Sequence, residues 1–262
     1  KNVVTIHGLE FEYYPEAFSE EQLAYLRRGT LRTVRKAGRI IVPSNATRDD
    51  LVRFYDADPQ KIFVVPHGVN PQIAYHHRYP PIDEKYILFI GRLEKKKNVL
   101  QLIRAFSVLK EKHGIPHKLV LVGSSGFGFE EVEREVQNSL FKTDIVLTGY
   151  ISHEEKESFF KYADVFVLPS VYEGFGMPVL ESQLRQVPVV ASHIPSIKEI
   201  AGEGAILVDP KSVQQLTEAL LSVVSDDDVR EKLVSKGLKN VQKYSWFKCA
   251  KQTLDVLTGW WT

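Results

Sequence analysis

Glu173 and Glu181 are separated by seven residues, Gly174, Phe175, Gly176, Met177, Pro178, Val179 and Leu180. The apolar run at 165–169 just before them reads as a buried strand. Gly174 and Gly176 free the backbone for a tight turn, and Pro178 suits the first turn of a helix continued by 179–184. Strand, glycine-rich loop and helix start in that order aim unpaired N–H groups and a positive dipole end beyond the strand. A phosphate or another anion is the natural guest. Two carboxylates beside such a guest need a different target, and hydroxyl groups of a sugar or ribose supply one. The plainer alternative is a loop capping one more α/β unit, with both glutamates solvated.

A second group of polar residues has complementary charge. Residues 86–90 read as a buried strand, followed at once by Gly91, Arg92 and, five positions on, Lys97. Asn98 can cap a helix whose apolar face carries Val99, Leu102, Ile103, Phe106 and Leu109, and Gly114 ends it. A helix N-terminus attracts anions, so cations there are not balancing the dipole. Arg92 and Lys97 therefore point to a bound polyanion such as a diphosphate, while Lys95 and Lys96 read as a solvated pair. His7 ends a strand-like run at 3–6, on the sheet edge where open α/β folds bind ligands. A polar loop residue is the alternative there. The run from Gly123 to Gly128 has its glycines in the wrong order for a dinucleotide fingerprint and gives NAD little support. His76 and His77 are adjacent, with no cysteine or carboxylate cluster nearby, so no metal site is expected.

These residues need a scaffold, and the pattern around them supplies one. Residues 10–18 read as an irregular loop. Ser19 with Gln22 forms a capping box for a helix to about Ala37. That helix and the residue pair beyond it carry Arg27, Arg28, Arg32, Arg35, Lys36 and Arg39. They could meet an anionic acceptor or a membrane surface, or form a solvated face opposite Leu23, Leu26, Leu31 and Val34. A strand at 39–42, a helix from Ser44 or Asn45 to Phe54 and a strand at 61–65 follow. Residues 71–84, rich in Pro, His and Tyr and without a period, mark a domain boundary. Beyond it, strands at 118–122, 144–148, 187–191 and 205–208 alternate with helices at 152–162, 209–224 and 226–243, and a last helix reaches Leu257. Alternation with short connections predicts doubly wound parallel sheets.

Composition narrows the field. The 262 residues are 44% hydrophobic and 26% charged, enough for two modest domains with full cores. A net charge of +1 provides no global field toward nucleic acid. The one cysteine, Cys249, fits a reducing compartment such as the cytoplasm. No apolar run approaches the ~18 residues of a membrane span. The only methionine is Met177 and the chain opens on a strand-like run, so further N-terminal sequence is expected in the natural protein.

The ordered set Gly91-Arg92-Leu93, Lys97-Asn98, Leu121-Val122-Gly123, Gly149-Tyr150, Pro169-Ser170, the Glu173 to Glu181 stretch and Pro188-Val189-Val190-Ala191-Ser192 resembles the C-terminal domain of family 4 retaining glycosyltransferases. Their GT-B architecture sets two Rossmann-like domains face to face. Thr5-Ile6-His7-Gly8, Val42-Pro43-Ser44 with Thr47 to Leu51, and Val65-Pro66-His67-Gly68-Val69 are similar to the end of the partner domain. The resemblance implies part of an N-terminal, acceptor-side domain at 1–70, a linker at 71–84, a nucleotide-sugar-binding domain at 85–243 and a C-terminal helix crossing back at 244–262. It implies sugar transfer from a GDP- or UDP-linked donor to a sugar or lipid-linked acceptor, with retention and without a cofactor or metal, at the inner face of a membrane or free in the cytoplasm. Arg92 and Lys97 would hold the diphosphate, Glu173 the transferred sugar and Glu181 the ribose. His7 would reach the donor sugar, and Tyr150 would sit against the base. Gly91, Gly123, Gly174, Phe175, Gly176, Met177, Val179 and Leu180 would complete the donor site. The tyrosine-rich stretch at 9–16 looks most like mannosyltransferases and favours GDP-mannose. Val187 departs from the family's usual glycine. A nucleotide-sugar epimerase of the same architecture, or a non-catalytic nucleotide-binding module, are the alternatives. The first needs acid and base carboxylates in the N-terminal half.

Overall fold

The computed structural model describes residues 2–70 and 80–259. Most of the 71–84 linker with its His76-His77 pair, and the terminal Trp260-Trp261, lie outside the described residues.

The first unit is a parallel sheet in the order β1 (Val3–Thr5), β2 (Arg39–Val42), β3 (Ile62–Val64). Residues expected to form a loop instead form α1 (Glu10–Tyr13) and a 3₁₀ turn, Pro15–Ala17, because Phe11 is drawn into the core and Pro15 starts the turn. α2 (Glu20–Lys36) opens on the capping box: Ser19 Oγ accepts from the Gln22 amide, and the Gln22 side chain accepts from the Ser19 amide. In α3 (Asn45–Tyr55) Ser44 is the cap, accepting from the Thr47 amide. Leu9, Ile40, Val42 and Leu51 form the small core between these helices and the sheet.

The second unit has six parallel strands in the order β6-β5-β4-β7-β8-β9, namely β4 (Tyr86–Ile90), β5 (Lys118–Val122), β6 (Ile145–Gly149), β7 (Val165–Leu168), β8 (Val189–Ser192) and β9 (Ala205–Val208). Its helices are α4 (Val99–His113), α5 (Phe129–Asn138), α6 (His153–Lys161), α7 (Met177–Leu184), α8 (Pro195–Ala201), α9 (Val213–Ser225) and α10 (Asp227–Val241). Strands are first added on one side of β4 and then, from β7, on the other. The chain thus makes a topological switch point between β4 and β7, where doubly wound sheets bind ligands. Tyr86, Phe89, Phe106, Phe160 and Phe166 are fully buried in its core.

Four details depart from the sequence expectation. Asn98 sits at φ +58° and does not cap α4; its Nδ2 donates to the carbonyls of Pro169 and Pro210, at 3.0 and 2.7 Å. α9 begins only after Ser212, because Asp209 folds into a turn with Lys211. β8 begins at Val189, since the Val187 amide still closes the turn after α7 by donating to Ser182. α5 and α8 fill two stretches in which no helix was expected.

α11 (Trp246–Thr258) returns to the first unit. Val256 packs on Ile41 and Val65, and the Arg39 guanidinium donates to the carbonyls of Val256 and Gly259, at 2.5 and 2.8 Å.

Candidate active site

Gly91 follows β4 and Pro169 follows β7, so the loops carrying Arg92, Lys97 and Glu173 flank the switch point. Lys97 Nζ lies 2.5 Å from Glu173 Oε1, with both side chains largely buried, and Ser170 Oγ donates to the same oxygen at 2.8 Å. Arg92 is exposed, and its Nε donates only to the Ser125 carbonyl, at 3.4 Å. No carboxylate pairs with it among the described residues. Gly123, at φ +141°, lets the two strand ends close up: a Cβ there would fall 2.0 Å from the Gly91 carbonyl oxygen.

Beyond β7 the loop reaches Gly176, which caps α7. The N–H groups of Phe175, Gly176 and Met177 form no hydrogen bond with the described residues. Three donors at a helix start remain open to an acceptor. Glu181, one turn along α7, pairs with Lys156 of α6 at 2.8 Å. A cleft of about 320 Å³ joins Lys156 to Gly91, Arg92, Gly123, Ser124 and Tyr150. The Tyr150 ring is 84% exposed on its rim.

The first unit closes against this loop. A Cβ on Gly174 would lie 2.1 Å from the His7 carbonyl oxygen, so only glycine permits the approach. Ser44 Oγ and Thr47 Oγ1, from the start of α3, donate to the Gly174 carbonyl at 2.7 and 3.1 Å. The Leu9 amide donates to the Tyr172 hydroxyl at 2.7 Å, and Tyr13 stacks on the Tyr172 ring at 4.5 Å. The His7 ring stands 5.4 Å from that of His67, which also touches Phe175 and Trp246. Burial, and secondarily the neighbouring His7, hold His67 below the ordinary histidine value. Two cavities between the units, of about 290 and 140 Å³, share Glu10 and Phe18. His7 and Gly174 line the first, and Arg92 the second, with Glu10 and Phe18 forming wall to both.

Two expectations need correction. Val179 and Leu180 have no exposed side chain, being packed in the core, so only backbone groups of that turn face outward. The Val179 amide is already given to the Gly176 carbonyl. Phe175 is likewise 5% exposed, packed with Val69 and Leu180, and Met177 leans on the same cluster. Lys96 is not solvated: its ammonium pairs with Glu10 across the units at 2.6 Å and with Glu94 at 3.3 Å. Val187, in place of the family's usual glycine, is simply buried in the core.

Sequence reasoning missed Lys156, which has no motif around it, and the second role of Ser44 and Thr47, whose capping pattern masks a contact with a distant loop. His67 was recognised only as part of a matching string. No group of three or more His, Cys, Asp or Glu converges as a metal site among the described residues.

Comparison with known proteins fits this geometry to a family. The sequence profile of glycosyl transferases group 1 matches residues 76–240, and that of glycosyltransferase family 4 matches residues 1–73. The chain belongs to the group 1 glycosyltransferases. Among its relatives, the O-antigen chain mannosyltransferase B of Escherichia coli is 26% identical over 263 residues, covering 97% of this chain and 69% of that protein. The sucrose-phosphate synthase of Thermosynechococcus elongatus superposes with a TM-score of 0.82 at 25% identity, over 99% of this chain and 67% of that one. The Anabaena protein HepE in complex with UDP-glucose superposes at 0.83 with 19% identity, over 98% and 72%. The α/β architecture with two parallel sheets is therefore that of the GT-B enzymes. No helix among the described residues is long and apolar enough to cross a membrane.

Proposed function

We propose that the protein moves a sugar, with mannose favoured, from a nucleoside diphosphate donor to a hydroxyl of a sugar or lipid-linked acceptor, with retention at the sugar's anomeric carbon. The observation that carries this reading is the meeting of Lys97, Glu173 and the unpaired amides of 175–177 at the switch point, with His7 pressed against Gly174 from the opposite unit.

The donor is a substrate, and each part of it has a partner of suitable chemistry. Arg92 and Lys97 neutralise the diphosphate, the task a metal performs elsewhere, and the loop amides assist. Glu173, released from Lys97 as the phosphate takes its place, accepts hydrogen bonds from the sugar. Glu181 accepts from the ribose, and Tyr150 lies beside the base. The bond between the anomeric carbon and the phosphate oxygen breaks as the acceptor oxygen bonds to that carbon. The departing phosphate takes the acceptor's proton. His7 faces the inter-unit space where donor sugar and acceptor meet. The 9–16 stretch favours GDP-mannose, and the likeness to a mannosyltransferase of E. coli supports mannose as the sugar.

An epimerase would need free carboxylates in the first unit. Glu10 is tied to Lys96, Glu12 to Arg27 and Tyr55, and Asp50 to the hydroxyls of Tyr13 and Tyr172, which weighs against that alternative. Contact with an anionic membrane surface on the cytoplasmic side rests on fewer cations than the sequence offers. Arg27 is paired with Glu12 and Arg39 with the α11 carbonyls, leaving Arg28, Arg32, Arg35 and Lys36 exposed on α2.

The test is the melting temperature with millimolar GDP or UDP. A rise with one of them, lost in Lys97→Ala, is expected, and GDP should exceed UDP. No rise with any nucleoside diphosphate overturns the donor site.

A further inference from the structure

We infer that Lys156 is a positioning residue that sets the Glu181 carboxylate for ribose. The inference rests on the donor-site reading above. Two ion pairs cross between α6 and α7. In the interior, the Arg185 guanidinium grips Glu157, with side chains only 5% and 4% exposed, and Arg185 Nη1 also donates to the Glu181 carbonyl at 2.7 Å. At the mouth, the neighbouring Lys156 reaches Glu181 Oε1 at 2.8 Å, with both side chains 20% exposed. The interior pair fixes the spacing of the helices and the backbone at Glu181. The outer pair fixes the side chain.

Two consequences follow from that arrangement. Glu181 Oε1 is occupied, while Oε2 has no hydrogen-bond partner among the described residues and remains the oxygen able to accept from a hydroxyl. Holding one rotamer before binding also removes an ordering cost at the moment of binding. Lys156 lines the same cleft as Gly91, Gly123 and Tyr150, so the ammonium that holds Glu181 stands at the wall of the space assigned to the nucleoside. It is distinct from Lys97, which serves the phosphate end and pairs with the other glutamate.

Titration calorimetry with GDP, UDP and their 2′-deoxy and 3′-deoxy analogues separates positioning from simple charge attraction. For the unaltered protein, removal of the hydroxyl that Glu181 receives should weaken binding by roughly ten- to a hundredfold. In Lys156→Met that ratio should shrink several-fold, and Lys156→Arg should restore it. Glu181→Gln should show the same shrunken ratio, with Lys156→Met adding little to it in the double variant. If Lys156→Met and Lys156→Gln weaken ribose and deoxyribose ligands equally, the ammonium acts only through its charge and the inference is overturned. A ratio of one in the unaltered protein overturns it as well, by removing Glu181 from the ribose. Absence of all nucleotide binding in the unaltered protein instead overturns the donor-site reading, and this inference with it.

Discussion

At the scale of single residues, the site stores Lys97, Lys156 and both glutamates as ion pairs and leaves Arg92 without one among the described residues. Lys97 and Glu173 neutralise each other at 2.5 Å, and each has a separate proposed task once a donor enters. Glu173→Gln should therefore keep or tighten GDP binding, because Lys97 is freed, while sugar transfer falls by about a hundredfold or more. Calorimetry and a transfer assay on the same preparation check both halves. Loss of GDP binding would mean that the pair is a structural support. His67 yields a pH prediction. Its pKa in the folded state lies below its ordinary value of 6.5, so the unfolded chain binds the proton more readily. Stability from this group is complete above about 6.5 and declines as pH falls from there toward the lowered folded value. His67→Asn should flatten that part of a melting temperature profile between pH 7 and 5.

At the scale of elements, the helix starts do two jobs. Ser44 caps α3 and also donates to the Gly174 carbonyl of the other unit, with no exposed surface of its own. Ser44→Ala should cost about 1–2 kcal/mol from the cap alone, as measured by urea denaturation. The interior pair between α6 and α7 is more sensitive. Arg185→Met leaves Glu157 buried and without its cation, an expected loss of about 3–5 kcal/mol in the same measurement. The elements themselves were largely legible. Every strand of both sheets was anticipated to within one or two residues, because an apolar run between turn residues signals a buried parallel strand. The capping box of α2 was likewise plain. α5 was not: its apolar positions, Phe129, Val132 and Val136, are too few among glutamates to stand out, yet they suffice to pack it on the core. Asn98 looked like a cap, and its side chain went instead to two carbonyls distant in sequence.

At the scale of the whole molecule, the two units approach closely enough for backbone to meet backbone at Gly174. Gly174→Ala would push a Cβ to within 2.1 Å of the His7 carbonyl, which must then withdraw. Both sheets should persist, GDP should still bind to the second unit, and transfer should fall sharply. Small-angle scattering should report a wider molecule. An unchanged scattering profile with full transfer would show that the close approach is dispensable. The sequence alone determined the strand–loop–helix around Glu173, the cations at Arg92 and Lys97, and the parallel, doubly wound class, because these follow from local periodicity, turn residues and charge. Tertiary structure decided what those residues touch. It placed Val179 and Leu180 in the core, brought Lys156 to Glu181 and Lys96 to Glu10, and set Ser44 and Thr47 on Gly174. Such contacts join residues far apart in the chain, and their choice depends on how two sheets and their helices pack, which no local pattern encodes.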